Sequence, residues 1–217
     1  MVNRVLIIVF CLFLTACTTT DSSVNKEDKK NEIAKLNIRM GMAYLERKDI
    51  ERSKQKFLLA LDADSSIPES WYSMGYFLEV TGNAKQAQKY YLKAVELAPK
   101  RGDTLNNYGT YLCRTGSYQE AVQQFLLATE DPKYLDSAGA YENAGLCSLK
   151  IPDPKAAKMY FEKAQAENPT RPTSLIELAE LNYKEGDLLA ADHHLEQFLQ
   201  LSPPTPQSLS LKRKLEV

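Results

Sequence analysis

Thr104-Leu-Asn-Asn-Tyr-Gly-Thr-Tyr-Leu-Cys-Arg-Thr-Gly-Ser-Tyr-Gln-Glu-Ala-Val-Gln-Gln-Phe-Leu-Leu-Ala128 is one instance of a pattern that recurs along the chain. Its Gly109 has counterparts at Gly41, Gly75 and Gly145, spaced 34, 34 and 36 residues apart. An aromatic residue follows each glycine by 16 positions, at Phe57, Tyr91, Phe125 and Phe161, and an alanine follows three later, at Ala60, Ala94, Ala128 and Ala164. A fixed period of this length marks an array of like supersecondary units. Glycine inside a helix costs ~1 kcal/mol relative to alanine, so four at one phase need a packing reason. A small residue there lets the second helix of the unit, with Ala87, Ala121 or Ala157 facing it, approach closely, while the bulky ring fills the space toward the next unit.

Between the helices of each unit, Asp49, Asn83, Ser117, Asp153 and Asp187 stand where an N-cap is needed, with Gly82, Gly116 and Gly186 before three of them as helix stops. Ser117-Tyr-Gln-Glu120 reads as a capping box. This period, with Trp71, Gly75, Ala87, Tyr91, Ala94 and Pro99 in the best unit, resembles the tetratricopeptide repeat family. The resemblance implies an all-α fold, a right-handed superhelix of about five repeats. They run over 34–67, 68–101, 102–137, 138–171 and 172–205, within a repeat domain spanning 34–205. The third is two residues longer in its closing loop, and the fifth has Ala179 for the glycine and Leu195 for the ring.

The chain has 217 residues, 44% of them apolar, and a net charge of -1, which argues against a nucleic-acid partner and against an acidic tail. Its first residues are more informative. Arg4 supplies a basic region, Val5 to Leu14 is an apolar run, and Leu14-Thr-Ala-Cys17 follows. Ten apolar residues are too few to cross a bilayer but suit an export signal. Leu-Thr-Ala-Cys resembles the lipobox of bacterial lipoproteins, which implies a signal peptide over 1–16 and acylation of Cys17; an ordinary signal with an incidental cysteine is the alternative. Thr18, in place of aspartate, favours outer-membrane retention by resemblance to lipoprotein sorting rules. Residues 17–33 then form an acylated cysteine and a polar, unpacked tether with a reach of roughly 20 Å. At the other end, 206–217 is expected to form a capping helix. Its Leu209, Leu211 and Leu215 cover the last apolar face while Lys212, Arg213 and Lys214 meet water.

Cys11 leaves with the signal and Cys17 is acylated, so Cys113 and Cys147 remain. They fall on the first helices of adjacent repeats, and in an oxidising compartment a disulfide between them is within reach. Two small core hydrophobes are the other reading. Nothing else suggests chemistry. His193 and His194 are adjacent and point about 100° apart on a helix, as surface residues do rather than a metal pair. No catalytic triad, phosphate-cradling loop or metal-ligand spacing can be assembled, so the chain reads as non-enzymatic, without cofactor, metal or small-molecule substrate.

Tetratricopeptide arrays bind partners along the face made by positions 2, 5, 9, 12 and 13 of their first helices. In the first two units those positions give a partner-binding groove of Ile38, Met42, Leu45, Tyr72 and Tyr76, apolar side chains that the core does not require. In the next two they give Asp103, Asn106, Thr110, Arg114, Glu142, Leu146 and Leu149, a more polar floor. No lysine stands at position 5, which argues against a carboxylate-clamp role.

The lipobox, the tether, the repeats and the run Asn106-Asn-Tyr-Gly-Thr-Tyr-Leu-Cys-Arg-Thr-Gly-Ser-Tyr118 together resemble the PilF/PilW family of type IV pilus biogenesis lipoproteins. Family members pair a cysteine of the third unit with one of the fourth, which implies a Cys113–Cys147 disulfide. The resemblance also implies a pilotin at the periplasmic face of the outer membrane, held there by its lipid. Such a protein binds the pilus secretin, promotes its localisation and multimerisation, and supports twitching motility. An adaptor lipoprotein that recruits peptidoglycan-modifying enzymes would use the same anchor and repeats.

Overall fold

The computed structural model describes residues 21–151 and 153–216, with side chains from residue 26 onward, and among these every regular element is helical. The export signal and Cys17 lie outside the described residues. Two compact units divide the chain, 1–65 and 66–217. The first holds α1 (Asp21–Glu46) and α2 (Ile50–Ala63). In the second, α3 (Pro68–Val80) pairs with α4 (Ala84–Leu97), α5 (Gly102–Arg114) with α6 (Tyr118–Thr129), α7 (Ser137–Ser148) with α8 (Pro154–Glu167), and α9 (Pro172–Glu185) with α10 (Leu188–Leu201). The last element is α11 (Pro206–Leu215), which packs on α10. This is a tetratricopeptide-repeat fold, two antiparallel helices per repeat.

What makes each pair close is a contact between its glycine and its own aromatic ring. A Cβ added to Gly41 would stand 2.8 Å from Phe57, one at Gly75 3.1 Å from Tyr91, one at Gly109 2.8 Å from Phe125 and one at Gly145 2.7 Å from Phe161. The glycine therefore makes room for the ring of its own repeat, where the sequence alone assigned that space to alanine and sent the ring to the next unit. The fifth repeat obeys the same rule. With Leu195 in place of the ring, Ala179 keeps its methyl, and both are buried with Leu175, Ile176 and Phe198.

The helix starts are unequal. Asp49, Asp153 and Asp187 each accept a hydrogen bond from a backbone N–H three residues on. Asn83 and Ser117 make no such side-chain bond, so the capping box expected at Ser117 and Glu120 is not formed. A capping box does close between Thr205 and Ser208 at the start of α11. Gly82, Gly116 and Gly186 take φ of 88°, 93° and 84°, a left-handed turn that an L side chain rarely adopts.

Two further expectations are corrected. Residues 21–33 belong to α1 and are helical, not an unstructured tether, although 26–30 are exposed as a tether's would be. Polarity alone suggests disorder, but lysine and glutamate are good helix formers, and extending a helix already nucleated by packing is cheap. At the far end Leu211 is buried and Leu215 packs against the last core cluster, while Leu209 stays 49% exposed. The reason is register. Leu209 is the fourth residue of a sixth repeat, a position that needs a second helix to cover it. Lys212 and Arg213 fall on the seventh and eighth, where earlier repeats place Met74 and Gly75 or Leu178 and Ala179.

Candidate functional site

The residues read as a groove sit on the first helices of the repeats. In the first unit Ile38, Met42 and Leu45 lie at spacings of four and three on α1, all half-buried, while Ala34 and Gly41 on the same helix are buried. Ile33 and Leu36, at 43% and 49%, are more exposed than any of the three and were not singled out by the repeat positions.

In the second unit Tyr72 and Tyr76 lie one turn apart on α3 and are half-buried. Neither ring is loose. The guanidinium of Arg114 sits 5.5 Å from the centre of the Tyr76 ring, a cation–π contact, and donates from Nε to Glu79 Oε1 at 2.5 Å and from Nη2 to Glu79 Oε2 at 3.0 Å. The Tyr91 hydroxyl donates to the same carboxylate at 3.1 Å. Burial, followed by the charges of Asp103 and Glu69, holds the Tyr72 phenol well above its ordinary range, so it stays a neutral hydroxyl.

This Arg–Glu link is one of a series joining successive first helices. Arg101 donates to both oxygens of Glu69 and, at 2.8 Å, to Asp103. Arg171 donates to Glu142 at 2.9 Å and to Asp136 at 2.9 Å. Glu142 is buried and also accepts from the Ser174 N–H at 3.0 Å and the Ser174 hydroxyl at 2.7 Å. Sequence reasoning missed these links because the partners stand 32 and 29 residues apart. A signal existed, since Arg101 and Arg171 both occupy the last position of a repeat, immediately before a first helix. Each carboxylate is thereby matched by a cation, and the face is polar without an unpaired charge on Glu69, Glu79 or Glu142.

The polar floor divides. Asn106 accepts from Asn143 at 3.0 Å, and the Thr110 hydroxyl donates to the Asn106 carbonyl at 2.8 Å. Leu146 and Leu149, placed on the open face by the repeat positions, pack instead against Ala157, Phe161, Leu178 and Leu181. Cys113 and Cys147 are joined as a disulfide with Cα atoms 5.8 Å apart, tying α5 to α7 beside Arg114. His193 and His194 meet edge to face at 5.8 Å, with His194 Nδ1 2.8 Å from the Ala190 carbonyl. Among the described residues no group of three or more His, Cys, Asp or Glu could hold a metal ion, and no helix is long and apolar enough to cross a membrane.

Comparison with known proteins places this geometry. Tetratricopeptide-repeat family models match residues 68–101 and 90–123. The type IV pilus assembly protein PilF of Pseudomonas aeruginosa is 32% identical over 216 residues, 99% of this chain and 86% of PilF. The chain belongs to the PilF family. A solved structure from the functional characterization of Pseudomonas aeruginosa PilF superposes with a TM-score of 0.79, covering 86% of this chain and 84% of that one at 32% identity. The structure of PilW, a widely conserved type IV pilus biogenesis factor, superposes with a TM-score of 0.74 over 85% of each chain at 24% identity and shares the fold. PilF-family repeats are scaffolds and not catalysts, in keeping with a surface built of paired charges and tyrosines.

Proposed function

We propose that this protein acts in type IV pilus biogenesis as a pilotin. In this reading it is anchored in the outer membrane through lipid on Cys17 and faces the periplasm. It binds the pilus secretin and promotes its localisation and multimerisation. The observation that carries the proposal is the 32% identity with PilF across almost the whole chain, which a generic likeness among repeats does not produce. Two sets of side chains supply the means, each within its own unit: Ile38, Met42 and Leu45 on α1, and Tyr72 and Tyr76 on α3, are half-exposed apolar groups outside the buried core. An apolar secretin segment would gain ~1.5 to 3 kcal/mol for each such side chain it fully covers.

Deleting the gene tests the proposal. Heat-stable secretin multimers should disappear from outer-membrane fractions, with loss of twitching motility, and return with the wild-type gene. Multimers at wild-type level in the deletion strain would overturn it.

A further inference from the structure

Positions 18, 22 and 26 of the repeat lie on successive turns of the second helix, on the side away from its partner. Only the second repeat places lysine at all three, Lys85, Lys89 and Lys93 on α4. Like charges four residues apart on a helix repel. Glu96 relieves Lys93 at 2.8 Å, but Lys85 and Lys89 are exposed and form no ion pair among the described residues. No acidic residue stands in the first turn of α4, and the adjoining turn of Thr81, Gly82 and Asn83 carries no charge. Glu120, on α6, pairs with neither lysine.

The same face has shape and apolar surface. Leu92, three residues beyond Lys89, is 46% exposed. Tyr90 packs tilted against Trp71 with ring centres 5.7 Å apart, and with Asn83, Lys85, Gln86 and Lys89 it lines an open concavity of about 660 Å³. A flat lipid surface cannot enter a concavity, whereas a side chain can.

We infer that the outer face of α4 docks an acidic, partly apolar segment of a protein partner. Its carboxylates meet Lys85 and Lys89, and an apolar side chain enters the concavity beside Tyr90. The surface belongs to a second helix, so it is separate from the groove residues on α1 and α3 and stands without the pilotin reading.

The test uses the purified full-length chain and a fluorescein-labelled dodecapeptide of alternating Glu and Leu, measured by anisotropy. The peptide should bind with an affinity that falls as salt rises, and Lys85→Glu with Lys89→Glu should weaken it about tenfold or more. A peptide of alternating Gln and Leu should bind no better than that double variant does the acidic peptide. Met42→Glu should leave the acidic peptide's affinity unchanged. Thermal melts of the lysine variant should match wild type, since both side chains are in water. No binding to wild type, or equal binding by the variant, would overturn the inference. So would lysine-dependent sedimentation with phosphatidylglycerol vesicles in place of peptide binding, which would assign the face to lipid.

Discussion

Gly145 lies so close beneath Phe161 that a Cβ at Gly145 would stand 2.7 Å from the ring. Helix propensity and packing therefore oppose each other at this residue. Alanine gains ~1 kcal/mol as a helix former, while forcing a methyl into a filled core costs ~1 to 3 kcal/mol. Gly145→Ala should destabilise by about 1 kcal/mol, and Phe161→Leu alone by more through the cavity it leaves. Combined, they recreate the Ala179 and Leu195 pair of the fifth repeat. The double variant should then be clearly more stable than the sum of the two single effects, read from thermal or urea unfolding. Strict additivity would mean that the ring has room to move aside.

Much of the fold was legible because the repeat writes one packing solution several times. The glycine and ring spacing located each helix pair, and Ala179 with Leu195 shows that the same rule still holds where its residues change. What could not be read was which side chains actually meet, within a turn or between distant segments. Ser117 and Glu120 fit a capping box by type, yet the backbone N–H groups are left without that side chain. Leu146 and Leu149 occupy positions that face outward by count, but α8 and α9 reach them. The Glu–Arg links are invisible to a pattern of local spacings: Glu69–Arg101 and Glu142–Arg171 tie the start of a repeat to its own last residue, and Glu79–Arg114 crosses to the next repeat.

Glu142 offers a test of those links. Removing one member of a buried ion pair leaves its partners with unmet hydrogen bonds, a loss of ~3 kcal/mol or more. Glu142→Ala would strand the Ser174 N–H and hydroxyl and one edge of Arg171. Its melting temperature should drop by several degrees, whereas Glu180→Ala, which loses only an exposed contact to Lys184 at 3.6 Å, should change little. Equal effects would show that the Arg171 link carries no special weight.

The disulfide gives a third expectation. Closing a loop of 34 residues should stabilise by ~4 kcal/mol in the chain-entropy model. Thiol labelling of the exported protein should find Cys113 and Cys147 unreactive after unfolding alone and reactive once reductant is added. Reduction should lower the melting temperature by several degrees. Two thiols labelled without reductant would remove the bond.

The proposed acylation of Cys17 is separable from folding. Cys17→Ser should leave a folded protein in the periplasmic fraction, with the melting behaviour of the wild-type repeats. Retention in washed membranes would show that something other than lipid on Cys17 holds it there.

The groove residues of α1 and of α3 are tested last, each by its own substitution. Replacing Tyr76 by glutamate would set a second carboxylate beside Glu79 and draw Arg114 away from it, so a loss of binding could reflect a disturbed repeat. Tyr76→Ala removes the apolar ring and the cation–π contact while the two Arg114 bonds to Glu79 remain available. On α1, Met42→Glu is the matching change, since Met42 is half-buried and outside the contact of Gly41 with Phe57. Each loses an apolar contact worth ~1.5 to 3 kcal/mol if a secretin segment covers it, so each should weaken binding about tenfold to a hundredfold. Asn106→Ala, on the polar floor, should do much less. Circular dichroism must first show near-native melting, after which secretin binding is measured by co-purification and assembly by heat-stable multimers. If Met42→Glu alone abolishes binding, α1 carries the contact; if only Tyr76→Ala does, α3 carries it. Normal multimers with both changes together would move the interaction off these two helices, and the outer surface of α4 would become the next to examine.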